Sequence, residues 1–452
     1  MKIMVFGCGK IGVMLIKELA AEGHDVTAVD VDAAVVESVG NIYDVMGVCG
    51  GCTDCDTLRE AGAAEADLCL AVTGSDERNM LACFLARRMG TKHTVARIRN
   101  PEYSPQNIAF MKQQLDLSLV INPERFVARE LSNILKFPSA TNIETFSTRN
   151  FEMIELRLRE DNAMVGMSLS EVRHKFEGKF LVCMVRRGED VVIPDGNFVL
   201  QPEDKIGLTA APNELMKLLK KLGLMQHKAR NVMIFGGSRT ALFLAERLIA
   251  GGNTVKVIES NELRCKEISE AVPEAIVIHG DGTSQDLLLE EGLRSMDAFV
   301  SLTGMDEENI LISIFAQNHQ VPKVITKINR PEMASMAEKL GLDSVISPLK
   351  VTADVVSRFA RALENGAGSN VETLYKVMDG KAEVLEFKVG EAFSHTGVPL
   401  KSLPTKKNTL VVGIVRGKEA IIPSGNDVIL PGDRVIAVAT GHRLKDLTDL
   451  LD

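Results

Sequence analysis

The sequence predicts an α/β protein of two doubly wound parallel-sheet domains, each followed by a small α+β lobe. Three observations predict it. Strand-length apolar runs alternate with helix-length amphipathic runs, a glycine-rich turn joins the first strand to the first helix, and the whole pattern restarts about 229 residues later.

The first strand, Ile3 to Phe6, runs into Gly7-Cys8-Gly9-Lys10-Ile11-Gly12, and Val13 to Ala21 follows as a helix. In such a turn the first glycine permits the tight bend, the second lets backbone amides close on a pyrophosphate, and the third lets the helix pack near the strand. The helix N-terminus then faces the anion. Asp25 to Asp30 is the second strand, ending in an acid 18 residues after Gly12, where a carboxylate can accept bonds from both ribose hydroxyls. Asp32 is placed to cap the next helix, Ala33 to Val39. A short third strand ends near Cys49-Gly50-Gly51-Cys52-Thr53, a helix and its stop fill Leu58 to Ala63, and Leu68 to Thr73 is the fourth strand. Gly74 to Asn79 opens the next helix, and Val95 to Arg99 is the fifth strand. Alternation at these lengths calls for a parallel sheet covered on both faces, a Rossmann-like arrangement.

The opening recurs as Val232-Met233-Ile234-Phe235-Gly236-Gly237-Ser238-Arg239-Thr240-Ala241. Gly236 lies 229 residues after Gly7 and Glu259 lies 229 after Asp30. With one residue inserted, Thr53 and Thr283, Thr73 and Thr303, Asp76 and Asp306, Asn79 and Asn309, and Pro101 and Pro331 keep a 230-residue offset. A smaller module repeats too. Leu181 to Asn197 is echoed by Leu410 to Asn426, with Pro202 and Asp204 matched by Pro431 and Asp433; each module reads as short strands closed by a terminal helix, Asn213 to Leu222 or His442 to Leu451.

The expected organisation is therefore a Rossmann-like domain at 1–122, a crossover helix at 123–140 and a small lobe at 141–226, then a second Rossmann-like domain at 229–347, a crossover helix at 348–369 and a small lobe at 370–452. Pro123 and Pro348 suit the first turn of the two crossover helices.

Composition narrows the function. A net charge of −9 over 452 residues, without a Lys/Arg-dense patch interleaved with aromatics, predicts no nucleic-acid partner. No stretch of 18 apolar residues exists and Met1-Lys2 leads directly into the first strand, so neither a membrane span nor a signal peptide is expected. The expected location is the cytoplasm, and any membrane part must come from another polypeptide. The eight cysteines read as reduced thiols. Cys49, Cys52 and Cys55 have C-x2-C-x2-C spacing, which suits either unliganded thiols beside a nucleotide or a soft metal or redox role, although no fourth ligand follows at a recognisable spacing.

Gly7 to Gly12 with Asp30, the strand end Ala71-Val72-Thr73-Gly74-Ser75-Asp76-Glu77 with Asn79, and Ala96-Arg97-Ile98-Arg99 resemble the nucleotide-binding domain of the potassium-conductance regulator (RCK, or KTN) family. The lobes with Ile193-Pro194-Asp195-Gly196 and Pro202-Glu203-Asp204 resemble that family's C-terminal lobe, and two such units in one chain look like the tandem regulatory subunits of Trk-type potassium uptake systems. The resemblance implies a peripheral protein on the cytoplasmic face of the inner membrane. It would assemble as a homo-oligomeric ring beneath an integral membrane Trk-type potassium transporter subunit and change that partner's activity on binding NAD(H), with ATP and ADP as further ligands of some members.

The same resemblance assigns roles. The backbone of Gly7, Cys8, Gly9, Lys10 and Ile11 would hold phosphates, and Asp30 the ribose; Gly51, Cys52 and Thr53 would lie near the adenine, Thr73 and Gly74 would border the cleft, and Arg97 would point toward the phosphates or the second nucleoside. In the second copy Gly236, Gly237, Ser238, Arg239, Thr240, Glu259, Asp281, Thr303 and Lys327 take these places. Ser238 there replaces the middle glycine and Ala241 the last, which predicts a second site of altered affinity or mononucleotide preference, or one that stays empty.

An NAD-dependent oxidoreductase is the competing class. It would need a proton donor or acceptor beside the nicotinamide. The two lobes share no His or Lys/carboxylate pair of that kind, and none of His24, His93, His174, His227, His279, His319, His395 and His442 has a histidine counterpart across the repeat.

Overall fold

In the computed structural model, residues 1–452 are described except 102, 137–139, 147–150, 225–228, 366–370, 392, 442–443, 445 and 452. His227 and His442, and parts of both expected crossover segments, lie outside the described residues.

The first sheet is parallel, with β1 (Lys2–Phe6), β2 (Asp25–Asp30), β3 (Met46–Cys49), β4 (Leu68–Ala71), β5 (His93–Arg97) and β6 (Leu119–Ile121) in the order β3-β2-β1-β4-β5-β6. That order is the doubly wound one, in which the direction of winding reverses between β1 and β4 and opens a crevice at the strands' C-terminal ends. Helices α1 (Lys10–Ala21), α2 (Ala33–Tyr43), α3 (Cys55–Glu60), α4 (Asp76–Met89), α5 (Pro105–Gln114) and α6 (Pro123–Ile134) follow the strands in turn. Met4, Phe6, Val29, Leu58, Cys69, Cys83 and Ile98 are in the core of one side. All four residues of β4 are buried, as a strand covered on both faces requires.

The first small lobe holds β7 (Asn142–Thr145), β8 (Glu152–Arg157), α7 (Leu169–Phe176), β9 (Phe180–Arg187), β10 (Asp190–Val192), β11 (Lys205–Ala210) and α8 (Pro212–Lys221), with an antiparallel sheet in the order β10-β9-β11-β8-β7. A Ser168/Glu171 capping box starts α7.

The second parallel sheet repeats the first: β12 (Asn231–Phe235), β13 (Thr254–Glu259), β14 (Ile276–His279), β15 (Ala298–Ser301), β16 (Lys323–Lys327) and β17 (Val345–Ile346) lie in the order β14-β13-β12-β15-β16-β17. Its helices are α9 (Arg239–Ala250), α10 (Glu262–Ala271), α11 (Gln285–Glu290), α12 (Asp306–Asn318), α13 (Pro331–Lys339) and α14 (Pro348–Asn365). The second lobe has β18 (Val371–Val377), β19 (Ala382–Lys388), β20 (Thr409–Arg416), β21 (Glu419–Ile421) and β22 (Arg434–Thr440) in the order β18-β19-β22-β20-β21.

The expected terminal helix at His442 to Leu451 is not what closes this lobe. Its described end is a 3-10 turn, Leu447–Leu450, capped by Asp446. The chain end is claimed by strand-like pairing instead: Lys406 N donates to Leu450 O at 2.8 Å, and Thr405 bridges Leu451. Leu451 has extended backbone, φ −102° and ψ 149°, as the bridge to Thr405 requires, and a helix running to that residue would not allow it.

The chain divides into two compact units. One comprises Met1–Arg129 with Ile328–Pro331 and Ile346–Ala360, and the other Glu130–Lys327 with Glu332–Val345 and Arg361–Asp452. Within the second unit the two small lobes share an apolar core. Phe146, Phe151, Met153, Cys183 and Met184 of the first lobe meet Tyr375, Val377, Met378, Val384, Val412 and Ile436 of the second. Phe146 and Tyr375 make an edge-to-face ring contact with centroids 5.3 Å apart. The same unit carries an ionic seam between the first lobe and the second doubly wound domain: Arg157 and Arg159 hold Asp343, while Arg186 and Lys205 hold Glu338.

Candidate functional site: two glycine-loop clefts

The first loop is shaped by what its glycines exclude. Gly7 has φ +96°, and a side chain there would lie 2.9 Å from Thr73 Cα. A Cβ on Gly12 would fall 1.8 Å from the Gly7 carbonyl oxygen, so only glycine fits at the first turn of α1. Gly9 is different: nothing lies within 4 Å of where its side chain would be. That open space, above an α1 N-cap with no side-chain hydrogen bond, leaves the helix amides to an incoming anion. Lys10 is exposed beside it.

Asp30 ends β2 and pins the loop. Its Oδ2 accepts from Cys8 N at 2.6 Å and its Oδ1 from Asp32 N at 3.1 Å. Asp32 in turn caps α2, accepting from Ala34 N and Val35 N. Cys8 is buried, and burial with the Asp30 charge pushes its thiol up to about 12. Cys52 is buried in the core and its thiol is likewise raised by burial, whereas Cys49 and Cys55 are exposed. The trio is therefore split between core and surface; among the described residues no three His, Cys, Asp or Glu side chains form a metal-ligand set.

Across the crevice, the ends of β4 and β5 are tied by Asn79, which is fully buried. Its Oδ1 accepts from Thr73 N at 2.9 Å and Thr73 Oγ1 at 2.6 Å, while its Nδ2 donates to Thr73 O at 3.3 Å and Arg97 O at 2.9 Å. Arg97 Nη1 also reaches Thr73 O. Asp76 accepts from Arg99 N and Asn100 N at 2.8 and 2.7 Å, fixing the segment after β5. Asn79 and Asp76 are visible in the sequence as members of the 230-residue register, without a site role; a buried side chain whose partners are mostly backbone groups far along the chain has no local signature.

The second cleft keeps the frame and changes the surface. Asn309 repeats every bond of Asn79, to Thr303 N, Oγ1 and O and to Lys327 O. Glu259 repeats Asp30, accepting from Gly237 N at 2.6 Å and Asn261 N at 2.7 Å. Ser238 stands where Gly9 stands in the first copy, and its hydroxyl caps α9 by accepting from Ala241 N at 3.3 Å. One helix-end amide is thus already satisfied. Arg264, at the first turn of α10, donates from Nε to Gly237 O, so the Gly237 peptide is gripped on both sides. Sequence reasoning missed Arg264 because the matching position in the first copy is Val35, which carries no polar group.

Other predicted residues are engaged locally. Asp281 accepts from Thr283 N and Oγ1, and those bonds hold its carboxyl below the usual range. Lys327 is buried with Nζ donating to Leu302 O at 3.2 Å. Thr240 is buried in α9 and Arg239 is exposed. Gly51, Thr53 and Gly74 line the loops after β3 and β4.

The TrkA-N domain model matches residues 3–123 and 232–348, and the TrkA-C domain model matches 153–223 and 386–452. The chain is 30% identical to the Trk system potassium uptake protein TrkA homolog of Archaeoglobus fulgidus over 450 residues, covering 100% of both chains. It is also 30% identical to the Trk system potassium uptake protein TrkA of Halomonas elongata over 456 residues, covering 100% of this chain and 98% of that one. Among solved structures, the GsuK channel bound to NAD is similar with a TM-score of 0.63 at 18% identity, covering 97% of this chain and 77% of that one. The GsuK RCK domain gives 0.62 at 18% identity, covering 97% and 92%. These two likenesses concern the fold. With both domain types matched twice and relatives aligned from end to end, the chain belongs to the TrkA family of Trk system potassium uptake proteins.

Proposed function

We propose that the chain is the nucleotide-sensing regulatory subunit of a Trk-type potassium uptake system, and that NAD(H) is the ligand of its first cleft. The observation that carries the reading is the first loop itself: open space at Gly9, an uncapped α1 N-terminus, and a strand-end carboxylate, Asp30, within reach of a ribose. Arg97 and Lys10 add positive charge at the phosphate end. In the second cleft the Ser238 cap takes up one helix-end amide, which favours weaker binding at the loop and a mononucleotide such as ATP or ADP over the dinucleotide.

The action is regulatory. A ligand shifts an assembly only through its different affinities for two conformations. The effect is read by a potassium-translocating membrane subunit supplied by another chain. No described helix here is long and apolar enough to cross a membrane. Ring assembly is supported by a repeated apolar surface: Leu81 and Phe110 in the first doubly wound domain, and Leu311 and Leu340 at the matching positions of the second, are all exposed. The reading places the protein at the cytoplasmic face of the membrane.

Titration of NADH, NAD, ATP and ADP into the full chain, by calorimetry, tests it. Wild type should bind NADH or NAD; Asp30→Ala should weaken that binding at least about tenfold, equivalent to about 1.4 kcal/mol, while Glu259→Ala leaves it in place. A wild-type protein that takes up none of the four nucleotides overturns the proposal.

A further inference from the structure

A cavity of about 340 Å³ lies in the second unit, between the second doubly wound domain and the first small lobe. Thr141, Arg157, Arg159 and Asn162 line it from the lobe side, and Lys323, Asp343 and Ser344 from the sheet side. It is remote in topology from the nucleotide cleft. Lys323 is the first residue of β16, whereas the glycine loop follows the last residue of the parallel strand β12, so the two sites lie at opposite ends of one sheet.

The cavity's donors exceed its acceptors. Asp343 alone receives both arginines, from Arg157 Nη1 at 2.5 Å and Arg159 Nη2 at 3.0 Å. Arg157 spends a second amino group on Glu203. Arg159 spends one of its N–H groups on Asp343 and is otherwise largely exposed, with a guanidinium that carries five donors. Lys323 is buried, with Nζ donating to Ala140 O at 2.6 Å and Ser344 Oγ at 2.7 Å, two bonds for an ammonium that can make three. Burial outweighs the Asp343 attraction and brings this lysine down to about 7, so a nearby anion would restore its charge. The lining sets two arginines and a lysine against two carboxylates, Asp161 and Asp343, and Leu222, Val324 and Leu342 add an apolar wall.

We propose that this cavity is a second ligand site, for a small phosphate- or carboxylate-bearing metabolite, held by Arg159, Arg157 and Lys323 and able to fix the angle between the second doubly wound domain and the first lobe. A planar guanidinium fork matches either oxyanion bidentately. The ligand competes with Asp343 for the arginines, so the site trades an internal ion pair for an external one. Because the bound anion touches both domains, it acts on the same assembly as the nucleotide without sharing its cleft.

Inorganic phosphate, glycerol 3-phosphate and succinate, each titrated calorimetrically into the full chain, test the proposal and separate its two ligand chemistries. At least one should bind with a dissociation constant below about 10 mM, a free energy of about 3 kcal/mol or more. Arg159→Ala, at an exposed position that leaves the fold intact, should weaken it tenfold or more; Asp343→Asn, which removes the competitor, should tighten it. Hydrogen exchange should show the anion protecting residues 157–162 and 341–344. Failure of all three anions to bind overturns the proposal, as does binding that Arg159→Ala leaves unchanged, which would place the anion at a glycine loop. Neither result depends on whether NAD(H) binds.

Discussion

Gly12 and Ala241 occupy the same place in two copies of one loop, and they differ by a single methyl group. In the first copy a Cβ would sit 1.8 Å from the Gly7 carbonyl oxygen, inside van der Waals contact, so the carbonyl or the helix must move. In the second copy the matching position is Ala241, and it is fully buried. Gly12→Ala should therefore lower the stability of the first domain by roughly 1–3 kcal/mol, as overpacking does, and weaken NAD(H) binding. Ala241→Gly should cost about 1 kcal/mol or less, chiefly through helix propensity. Thermal melting and nucleotide titration of both variants check this; equal losses would mean that the loops are not shaped by this contact.

At the scale of elements, Ser238 and Gly9 differ in how the helix end is satisfied. The Ser238 hydroxyl takes the Ala241 amide, whereas α1 has no such cap. Ser238→Gly should cost only about 0.5 kcal/mol or less, since glycine is itself a tolerable N-cap. It should also strengthen nucleotide binding at the second cleft, measured in an Asp30→Ala background that weakens the first. Unchanged binding would show that the cap does not compete with phosphate. The doubly wound sheets were legible in the sequence because each loop follows an apolar run, Ile3 to Phe6 or Val232 to Phe235, and the repeat keeps the following elements in register. The last strand of each sheet was not, because Leu119–Ile121 and Val345–Ile346 are too short to carry a period. The terminal helix expected in the second lobe failed for another reason: helical spacing of leucines cannot reveal that Thr405 and Lys406 will pair with the chain end. The clefts' acids and glycines were legible, but Arg264 was not, since nothing in its own segment marks it.

At the scale of the whole molecule, two contacts join repeats that are distant in sequence. The first is electrostatic. Burial pushes the Glu338 carboxyl up, but Lys205 and Arg186 together outweigh it and hold the group below its ordinary range. A carboxyl with a depressed folded value contributes stability that is complete above its unfolded value, near 4.5, and is lost as pH falls through the folded value. Glu338→Gln should accordingly be less stable than wild type by about 1–2 kcal/mol at pH 7, and the difference should shrink steadily below about pH 4.5. Melting curves across pH 3 to 7, on the order of one per half unit, decide it; a gap that persists at pH 3 would assign Glu338's contribution to packing.

The second contact is apolar, and it lies where each small lobe breaks its own strand register. Register shifts fall at Gly207 and just before Gly413, and each glycine receives a bulky side chain from the other lobe. A Cβ on Gly207 would meet Met184 Cγ of its own lobe at 2.4 Å and Met378 Cε of the other lobe at 3.2 Å, and one on Gly413 would meet the Phe151 ring at 3.1 to 3.2 Å. The notch over Gly413 is filled by the other lobe's Phe151, while the one over Gly207 is shared between Met184 of its own lobe and Met378 of the other. Gly413→Val should force the Phe151 ring aside at a cost of roughly 1–3 kcal/mol. Phe151→Ala should cost about 3–5 kcal/mol, because it leaves a cavity that the sheets cannot close. Together they should cost less than the sum, since the valine methyls occupy part of the space that the ring vacates. Denaturant unfolding of the four proteins in the cycle measures that coupling. Strict additivity would mean that the two side chains never meet, and that the lobes are held together by the surrounding apolar core alone.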